Sequence, residues 1–105
     1  FVDFGHVPVV KRLTRMPVCV DPSHSVGRKE PAPDGITDIQ HCTAQGVIAG
    51  ANMVLVDFHP DPSKALCDAP QALTIPELAP YLEDIQIVRE AYEKRRALVA
   101  RAATA

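Results

Sequence analysis

Residues 17–24 read PVCVDPSH and residues 52–60 read NMVLVDFHP, and these two strings decide the fold. Each contains a short apolar run that stops at an aspartate, with proline or histidine close behind. Short runs that are apolar on both faces are typical of parallel strands covered by helices. We therefore predict two buried parallel strands, at residues 17–21 and 52–58, each followed by a polar loop.

Helical periodicity surrounds the two predicted strands. Residues 9–13 follow Pro8, which suits a first helical turn because its missing N–H has no partner there. Between the strands, residues 36–51 repeat apolar side chains every three or four positions, and Gly50 is a suitable helix end. The expected apolar faces are Val9, Val10 and Leu13 in the first helix, and Ile36, Ile39, Thr43 and Val47 in the second.

A third helix is predicted near the end of the chain. Thr74-x-x-Glu77 is a capping box, in which the two side chains bind backbone N–H groups at a helix start. Because Pro80 would disturb the first turn, the regular helix is predicted from residue 81 to about residue 100. Its apolar stripe is Leu82, Ile85, Val88 and Tyr92.

The order of helices and strands indicates an α/β fold with parallel strands. Two strands cannot form a stable parallel sheet alone, because both faces and both edges need partners. We therefore expect the rest of the sheet to lie on another chain or on a segment that this sequence lacks.

Composition excludes several classes of protein. The chain has 105 residues and a net charge of −2, so no broad basic surface for nucleic acid is expected. No apolar run reaches the ~18 residues of a membrane span, and no leader resembles a signal peptide. Three cysteines match no zinc pattern, which favours a reducing, cytoplasmic compartment. Cys19 and Cys42 are predicted to be buried thiols without a chemical role.

Polar side chains follow both predicted strands. Asp21 and His24 follow the first strand, Asp57 ends the second, and Asp68 lies in the next loop. If the strands are neighbours, His24, Asp57 and Asp68 converge on one rim and offer a ligand set for a divalent metal. The alternative is purely structural: the aspartates cap loops and His24 binds a backbone carbonyl. Spacing alone leaves both interpretations open.

The longer strings resemble a known family. Residues 20–28, VDPSHSVGR, resemble the seventh strand and loop of type I 3-deoxy-heptulosonate-7-phosphate (DAHP) synthases. Residues 59–73, HPDPSKALCDAPQAL, resemble the loop after the eighth strand, and residues 8–14 resemble the helix before the seventh. Related 3-deoxy-octulosonate-8-phosphate synthases share the second string, but Pro22-Ser23 favours the DAHP branch.

The resemblance implies a site at three positions. His24 and Asp68 match metal ligands of the family, whereas Asp57 stands where the family has a glutamate. It implies that these residues form the catalytic metal site, for Mn, Fe, Co or Zn, and that Arg28 could meet a substrate phosphate. The family's cysteine ligand has no match among the cysteines here.

The resemblance also implies a fold and a reaction. The fold would be the closing part of a TIM (β/α)8 barrel, strands seven and eight with their helices in residues 1–80, plus a C-terminal helix in residues 81–105. The reaction would condense phosphoenolpyruvate with erythrose 4-phosphate and release phosphate, as the first step of the shikimate pathway to aromatic amino acids or in a secondary-metabolite variant. We expect this segment to be inactive alone and to form an oligomer with the remaining barrel segment or a partner chain. The alternative is a non-catalytic subunit or truncated homologue that docks on a partner barrel.

Overall fold

The computed structural model describes residues 3–26, 29–64 and 72–104. The elements in chain order are α1 (His6–Thr14), β1 (Cys19–Val20), α2 (Pro22–Val26), α3 (Asp38–Ile48), β2 (Met53–Val54), a 3-10 turn (Pro62–Lys64) and α4 (Ile75–Thr104). None of the helices in these ranges combines the length and the apolar composition that crossing a bilayer requires.

The two strands pair in parallel, as predicted. Cys19 lies opposite Met53, and Val20 lies opposite Val54. Both strands are shorter than the apolar runs that predicted them, because regular pairing is confined to two residues on each side. The Asn52 side chain adds one more contact between the two strand segments, since its Oδ1 accepts the N–H of Val18 at 3.0 Å.

One face of this small sheet is covered and the other is open. Val20 and Val54 are partly buried, whereas Cys19 and Met53 are exposed. Leu55, two residues beyond Met53, is 54% exposed. The prediction that Cys19 is buried was therefore wrong, because no element within the described ranges covers its face of the sheet. Cys42, on α3, is buried as predicted.

Helix α1 forms, but its predicted apolar face was wrong. The helix starts at His6, and the side chain that it buries is Val7. Val9, Val10 and Leu13 are 41%, 38% and 78% exposed. Lys11 also ties the helix to the rest of the molecule, since its Nζ donates to the carbonyl oxygen of Gly50 at 2.9 Å.

Helix α3 begins with a capping box that the sequence analysis missed. The Thr37 side chain accepts the Gln40 N–H, and the Gln40 side chain accepts the Thr37 N–H, so two N–H groups gain partners. Three of the four predicted core positions are buried, namely Ile39, Thr43 and Val47. Ile36 precedes the capping box and is 40% exposed.

Helix α4 starts earlier than predicted. It runs without a break from Ile75 through Pro80, so the proline sits inside the helix. Glu77 accepts the Thr74 N–H at 2.9 Å, which is its half of the predicted capping box. The buried side chain is Tyr81, and Leu82 is 61% exposed, so the predicted stripe was wrong at that position. The division of the chain at residue 80 stays a prediction.

The core lies between α3, α4 and the covered face of the sheet. Ile39, Leu73 and Tyr81 form its centre, and the side chains packed against them are Val54, Val56, Leu78 and Ile85. Burying each large apolar side chain contributes ~1.5–3 kcal/mol to folding. The Tyr81 hydroxyl lies 2.7 Å from the hydroxyl of Thr43, so the polar atoms of this core are also partnered.

Gly50 ends the α3 segment, as predicted. Its φ of 103° lies in the region that favours glycine. A Cβ at this position would lie 3.0 Å from the hydroxyl of Tyr92 on α4. The Tyr92 ring also contacts two guanidinium groups, with Arg89 Cζ 4.9 Å and Arg96 Cζ 5.8 Å from its centroid.

Candidate metal and substrate site

The carboxyl ends of β1 and β2 lie side by side because the strands are parallel neighbours. Chain segments that leave both strands therefore begin at the same edge of the sheet. Asp21 and His24 follow β1 there, and Asp57 follows β2. The structure thus brings together two of the residues predicted to share a rim, His24 and Asp57.

Asp21 organises the first of these segments. Its Oδ1 accepts the N–H of His24 at 3.1 Å, and its carbonyl oxygen accepts the N–H of Ser25 at 3.0 Å. These bonds start α2, a five-residue helix inside the stretch predicted to be a loop. The predicted capping role of Asp21 is therefore present in the structure.

The second oxygen of Asp21 binds the imidazole of His24. Asp21 Oδ2 lies 2.6 Å from His24 Nδ1. A carboxylate only accepts hydrogen bonds, so Nδ1 carries the proton in this pair. In the neutral imidazole, Nε2 then holds the lone pair that can bind a metal or a proton. This carboxylate–histidine arrangement is the one that orients metal-ligating histidines in proteins.

The Nε2 atom of His24 lies 3.7 Å from Oδ2 of Asp57. That separation suits an ion pair and is too long for a hydrogen bond. Oδ2 is buried, and within the described ranges it has no hydrogen-bond partner. Buried carboxylate oxygens without a partner are rare, because leaving one unsatisfied costs free energy. A bound ion would give this oxygen the partner that it lacks.

Asp57 is held in place through its backbone. Its N–H donates to Ser23 Oγ at 2.9 Å, and its carbonyl oxygen accepts the N–H of Leu73 at 2.9 Å. Ser23 is fully buried, and its hydroxyl links the segment after β1 to the segment after β2. The side chain of Asp57 is thereby positioned by two neighbouring segments.

The donors present fit part of a divalent-metal site. An imidazole nitrogen and a carboxylate oxygen are suitable first ligands for Mn, Fe, Co or Zn. Within the described ranges, no group of three or more His, Cys, Asp or Glu side chains is placed to hold a metal. Asp68 and Arg28 lie outside the described residues, as does Cys67. The predicted roles of Asp68 as third ligand and of Arg28 as phosphate contact therefore stay predictions.

Two further contacts shape the same rim. His59 Nδ1 accepts the N–H of Asp61 at 3.0 Å, which agrees with a role for His59 in loop structure. Lys29 Nζ donates to Glu77 Oε1 at 2.8 Å and so ties the segment after α2 to the start of α4. Burial acts to raise the pKa of Glu77, but the hydrogen bonds from Lys29 and Thr74 together lower it below its ordinary value.

Sequence reasoning missed two residues of this site. Asp21 was considered only as a loop cap, and Ser23 only as part of a family string. A signal for Asp21 was available, because an aspartate before Pro-Ser-His has the composition of a helix N-terminus. No local pattern marks Ser23, whose partner lies 34 positions away along the chain.

Comparison with known proteins gives a consistent result. A sequence model described as the DAHP synthetase I family matches residues 1–94. The 2-dehydro-3-deoxyphosphooctonate aldolase of Desulfosudis oleivorans is 33% identical over 94 residues, which cover 86% of this chain and 34% of that protein. The phospho-2-dehydro-3-deoxyheptonate aldolase of Thermotoga maritima is 37% identical over 73 residues, which cover 69% of this chain and 19% of that protein.

A solved structure agrees with the sequence matches. The crystal structure of phospho-2-dehydro-3-deoxyheptonate aldolase (DAHP synthase) from Thermotoga maritima superposes with a TM-score of 0.73 at 29% identity. The match covers 86% of this chain and 24% of that one. The chain thus spans about a third or less of the length of these relatives. Its α/β fold resembles part of such a synthase, and a closed barrel is not formed by the described residues.

Proposed function

The chain belongs to the DAHP synthetase I family, and from that premise we propose that it supplies the closing part of the active site of an aldol-type synthase. The proposed reaction joins phosphoenolpyruvate to a sugar phosphate. The observation that carries the proposal is the pairing of His24 Nε2 with the buried Oδ2 of Asp57 at 3.7 Å.

The roles that we propose for the chain's own residues follow from their contacts. Asp21 accepts the Nδ1 proton of His24, and Nε2 lies on the side of Asp57, where it would bind a cation. Ser23 and Leu73 hold the backbone of Asp57, and Asp68 would complete the ligand set. A divalent cation bound there would polarise the aldehyde oxygen of the sugar phosphate as a Lewis acid. Arg28, which follows α2 in the sequence, would contact a phosphate group.

We propose erythrose 4-phosphate as the sugar, and DAHP as the product, on the strength of Pro22-Ser23 in the first string. The relatives carry names of both the heptonate and the octonate aldolases. Release of inorganic phosphate from phosphoenolpyruvate, measured in parallel with erythrose 4-phosphate and with five-carbon aldose phosphates, distinguishes the two. The assay requires the assembly of this chain with the missing barrel strands, because the chain alone lacks most of a barrel.

Metal binding is the direct test of the proposed site. We expect one Mn²⁺, Co²⁺, Zn²⁺ or Fe²⁺ per chain in the assembled protein, and at least a tenfold loss of affinity in His24→Ala and Asp57→Asn. His41→Ala is the matched control, because His41 Nε2 also lies beside a carboxylate, 3.0 Å from Asp34 Oδ2, on another part of the surface. Equal metal content in His24→Ala and His41→Ala, by calorimetry and elemental analysis, would remove the site.

Asp21→Asn tests the orienting role separately. The amide keeps the size of the side chain but can present its NH₂ group to the imidazole, which changes the preferred proton position. Loss of an orienting carboxylate typically weakens metal affinity 10–100-fold. We expect that loss without a change in fold, as judged by circular dichroism. Full affinity in Asp21→Asn would contradict the proposed role.

The competing function is a non-catalytic subunit that docks on a partner barrel. The open apolar face of the sheet, which includes Met53 at 64% and Leu55 at 54% exposure, requires a covering partner in either case. Asp57 discriminates the two functions, because its side chain is one methylene shorter than glutamate. A gain of phosphate release in assembled Asp57→Glu indicates a working site, whereas no release from either form supports the non-catalytic subunit.

A further inference from the structure

One carboxylate oxygen at the start of α4 joins two segments of the rim. Oε1 of Glu77 accepts the backbone N–H of Thr74 at 2.9 Å and a proton of Lys29 Nζ at 2.8 Å. Thr74 lies directly before α4, whereas Lys29 lies in the segment that follows α2. The Lys29 side chain is 22% exposed, so this ion pair is partly shielded from water and from salt.

The segment before α4 is the fixed side of this link. Leu73 is 3% exposed and belongs to the core cluster. Its N–H donates to the carbonyl oxygen of Asp57 at 2.9 Å, and its own carbonyl oxygen accepts the N–H of His59 at 2.8 Å. The chain before α4 is therefore held beside the chain that leaves β2, and Glu77 is attached to it through Thr74.

The segment after α2 is the side that depends on the link. Helix α2 is a single turn of five residues, and a helix this short is not stable through its own hydrogen bonds. Its first half is anchored, because Ser23 is fully buried and its hydroxyl is bonded to the segment after β2. Its second half is exposed at His24 and Ser25 and leads from Val26 to Lys29 within three residues, which extend at most ~11 Å. The bond from Lys29 therefore limits where the outgoing end of this turn can lie.

We propose that Lys29 and Glu77 are positioning residues of the metal site. They fix the outgoing end of the turn that carries His24 against the segment that holds the backbone of Asp57. Directly beyond Lys29 the chain is bonded elsewhere, since the carbonyl oxygen of Glu30 accepts the first N–H of α3 at 2.7 Å. The inference rests on the proposed function, because the relative position of His24 and Asp57 matters when both bind one cation.

Lys29→Met removes the link and keeps the helix cap, because Glu77 still accepts the Thr74 N–H. We expect the assembled protein to bind Co²⁺ about tenfold more weakly in this variant, at the lower end of the losses caused by changes outside a ligand set. Lys29→Arg keeps a cationic donor and should restore most of the affinity. Lys11→Met is the matched control, since Lys11 Nζ also makes a partly buried bond, to the Gly50 carbonyl oxygen at 2.9 Å, beyond the opposite end of β2.

Two further measurements separate positioning from a general loss of stability. The visible absorption spectrum of bound Co²⁺ depends on the geometry of its ligands, so it should change in Lys29→Met and stay the same in Lys11→Met. In the metal-free assembled protein, amide hydrogen exchange of residues 23–26 should be about tenfold faster in Lys29→Met, because that turn opens locally more often. Lys11→Met should leave exchange in this turn unchanged.

A double-mutant cycle tests the pair itself. Glu77→Gln keeps an oxygen for the Thr74 N–H but removes the charge, so Lys29→Met should cost little further Co²⁺ affinity in that background. Equal affinity in Lys29→Met and the unmodified protein overturns the inference and leaves the proposed metal site intact, as does an equal loss in Lys29→Met and Lys11→Met. An unmodified assembly that binds no Co²⁺ removes the proposed metal site and the inference with it.

Discussion

Thr43 and Tyr81 join α3 to α4 through a hydrogen bond inside the core. Their hydroxyl oxygens lie 2.7 Å apart, and the residues are 1% and 2% exposed. The Thr43 hydroxyl also donates to the carbonyl oxygen of Ile39 at 2.7 Å, so the Tyr81 hydroxyl is the donor between the two. Burial raises the pKa of Tyr81, so this donor remains protonated at neutral pH.

Tyr81→Phe removes that bond and leaves Thr43 bound to Ile39. We expect a loss of ~1 kcal/mol in the free energy of unfolding, the usual net value of such a bond. Denaturant titration measures it, and a double-mutant cycle with Thr43→Val separates the pairwise part from other effects. A coupling energy near zero would show that the two hydroxyls contribute independently.

Glu77 links stability to pH at the start of α4. Its folded pKa lies below the ordinary 4.5 because the bonds from Lys29 and Thr74 outweigh burial, which is the largest single effect and acts in the opposite direction. A depressed pKa adds stability that is present above the unfolded pKa and is lost as pH falls through the folded pKa. The side chain is 39% exposed, so the effect is at most ~1 kcal/mol.

We therefore expect Glu77→Gln to lower the free energy of unfolding at neutral pH and to flatten its decline on the acid side of pH ~5. Thermal unfolding between about pH 3 and pH 7 measures both quantities. Glu83→Gln is the control, an exposed glutamate on the same helix. Equal acid profiles for Glu77→Gln and the unmodified chain would contradict the assignment.

At the residue scale, the sequence predicts contacts that depend on strand direction and misses those that depend on local loop folding. His24 and Asp57 approach each other because parallel strands end at one edge, and that could be predicted from the two apolar runs. The bond between Asp21 and His24 depends on α2, a single helical turn that no apolar periodicity marks. Ser23 binds Asp57 across a distance in sequence that no local pattern spans.

Gly46 sets the distance between α3 and β1. A Cβ at this position would lie 2.8 Å from Val20 Cγ2, closer than real Cβ atoms approach, and 3.1 Å from Cγ1, which is a tight contact. Gly46→Ala should lower the free energy of unfolding, because overpacking of ~1–3 kcal/mol exceeds the gain of up to ~1 kcal/mol in helix propensity. In a Val20→Ala background the same change should be neutral or stabilising. Destabilisation of equal size in both backgrounds, by thermal or denaturant unfolding, would exclude the steric cause.

At the element scale, apolar periodicity predicts α3 better than α4. Ile39, Thr43 and Val47 share a face that the core covers, so their spacing alone was sufficient. In α4 the rule that proline disturbs a helix moved the expected start to residue 81, and the predicted apolar stripe began at Leu82 instead of Tyr81. The helix tolerates Pro80 near its N-terminus, where the tertiary packing of Leu78, Tyr81 and Ile85 determines which face is buried.

At the scale of the whole molecule, the open face of the sheet makes the two cysteines that the structure describes differ in reactivity. Cys19 is exposed on that face, whereas Cys42 is buried and its thiol pKa is raised by burial and by the charge of Asp21. Thiolate is the reactive form, so burial and a raised pKa both protect Cys42, whereas Cys19 is open to reagents. In a Cys67→Ser background we expect rapid labelling of one thiol, and labelling of the second only after unfolding.

Adding the missing barrel strands should then protect Cys19, because the open face becomes an interior. We expect its labelling rate to fall at least tenfold on assembly, and mass spectrometry of the labelled peptide measures it. Unchanged labelling of Cys19 in the assembled protein would mean that the added strands do not cover this face. The apolar runs predicted that a cover is needed, but which face stays open depends on where α3 and α4 pack.

Asp21 contributes both to the folding of one loop and to the chemistry of one histidine. One carboxylate oxygen accepts the backbone N–H of His24 and the other accepts its ring N–H. A substitution that removes both oxygens, such as Asp21→Ala, therefore frays the turn and releases the imidazole together, whereas Asp21→Asn keeps one oxygen for the backbone N–H. A descendant of this protein that abandons catalysis still needs an acceptor oxygen at this position to keep the loop, so the presence of Asp21 alone is no sign of a working enzyme.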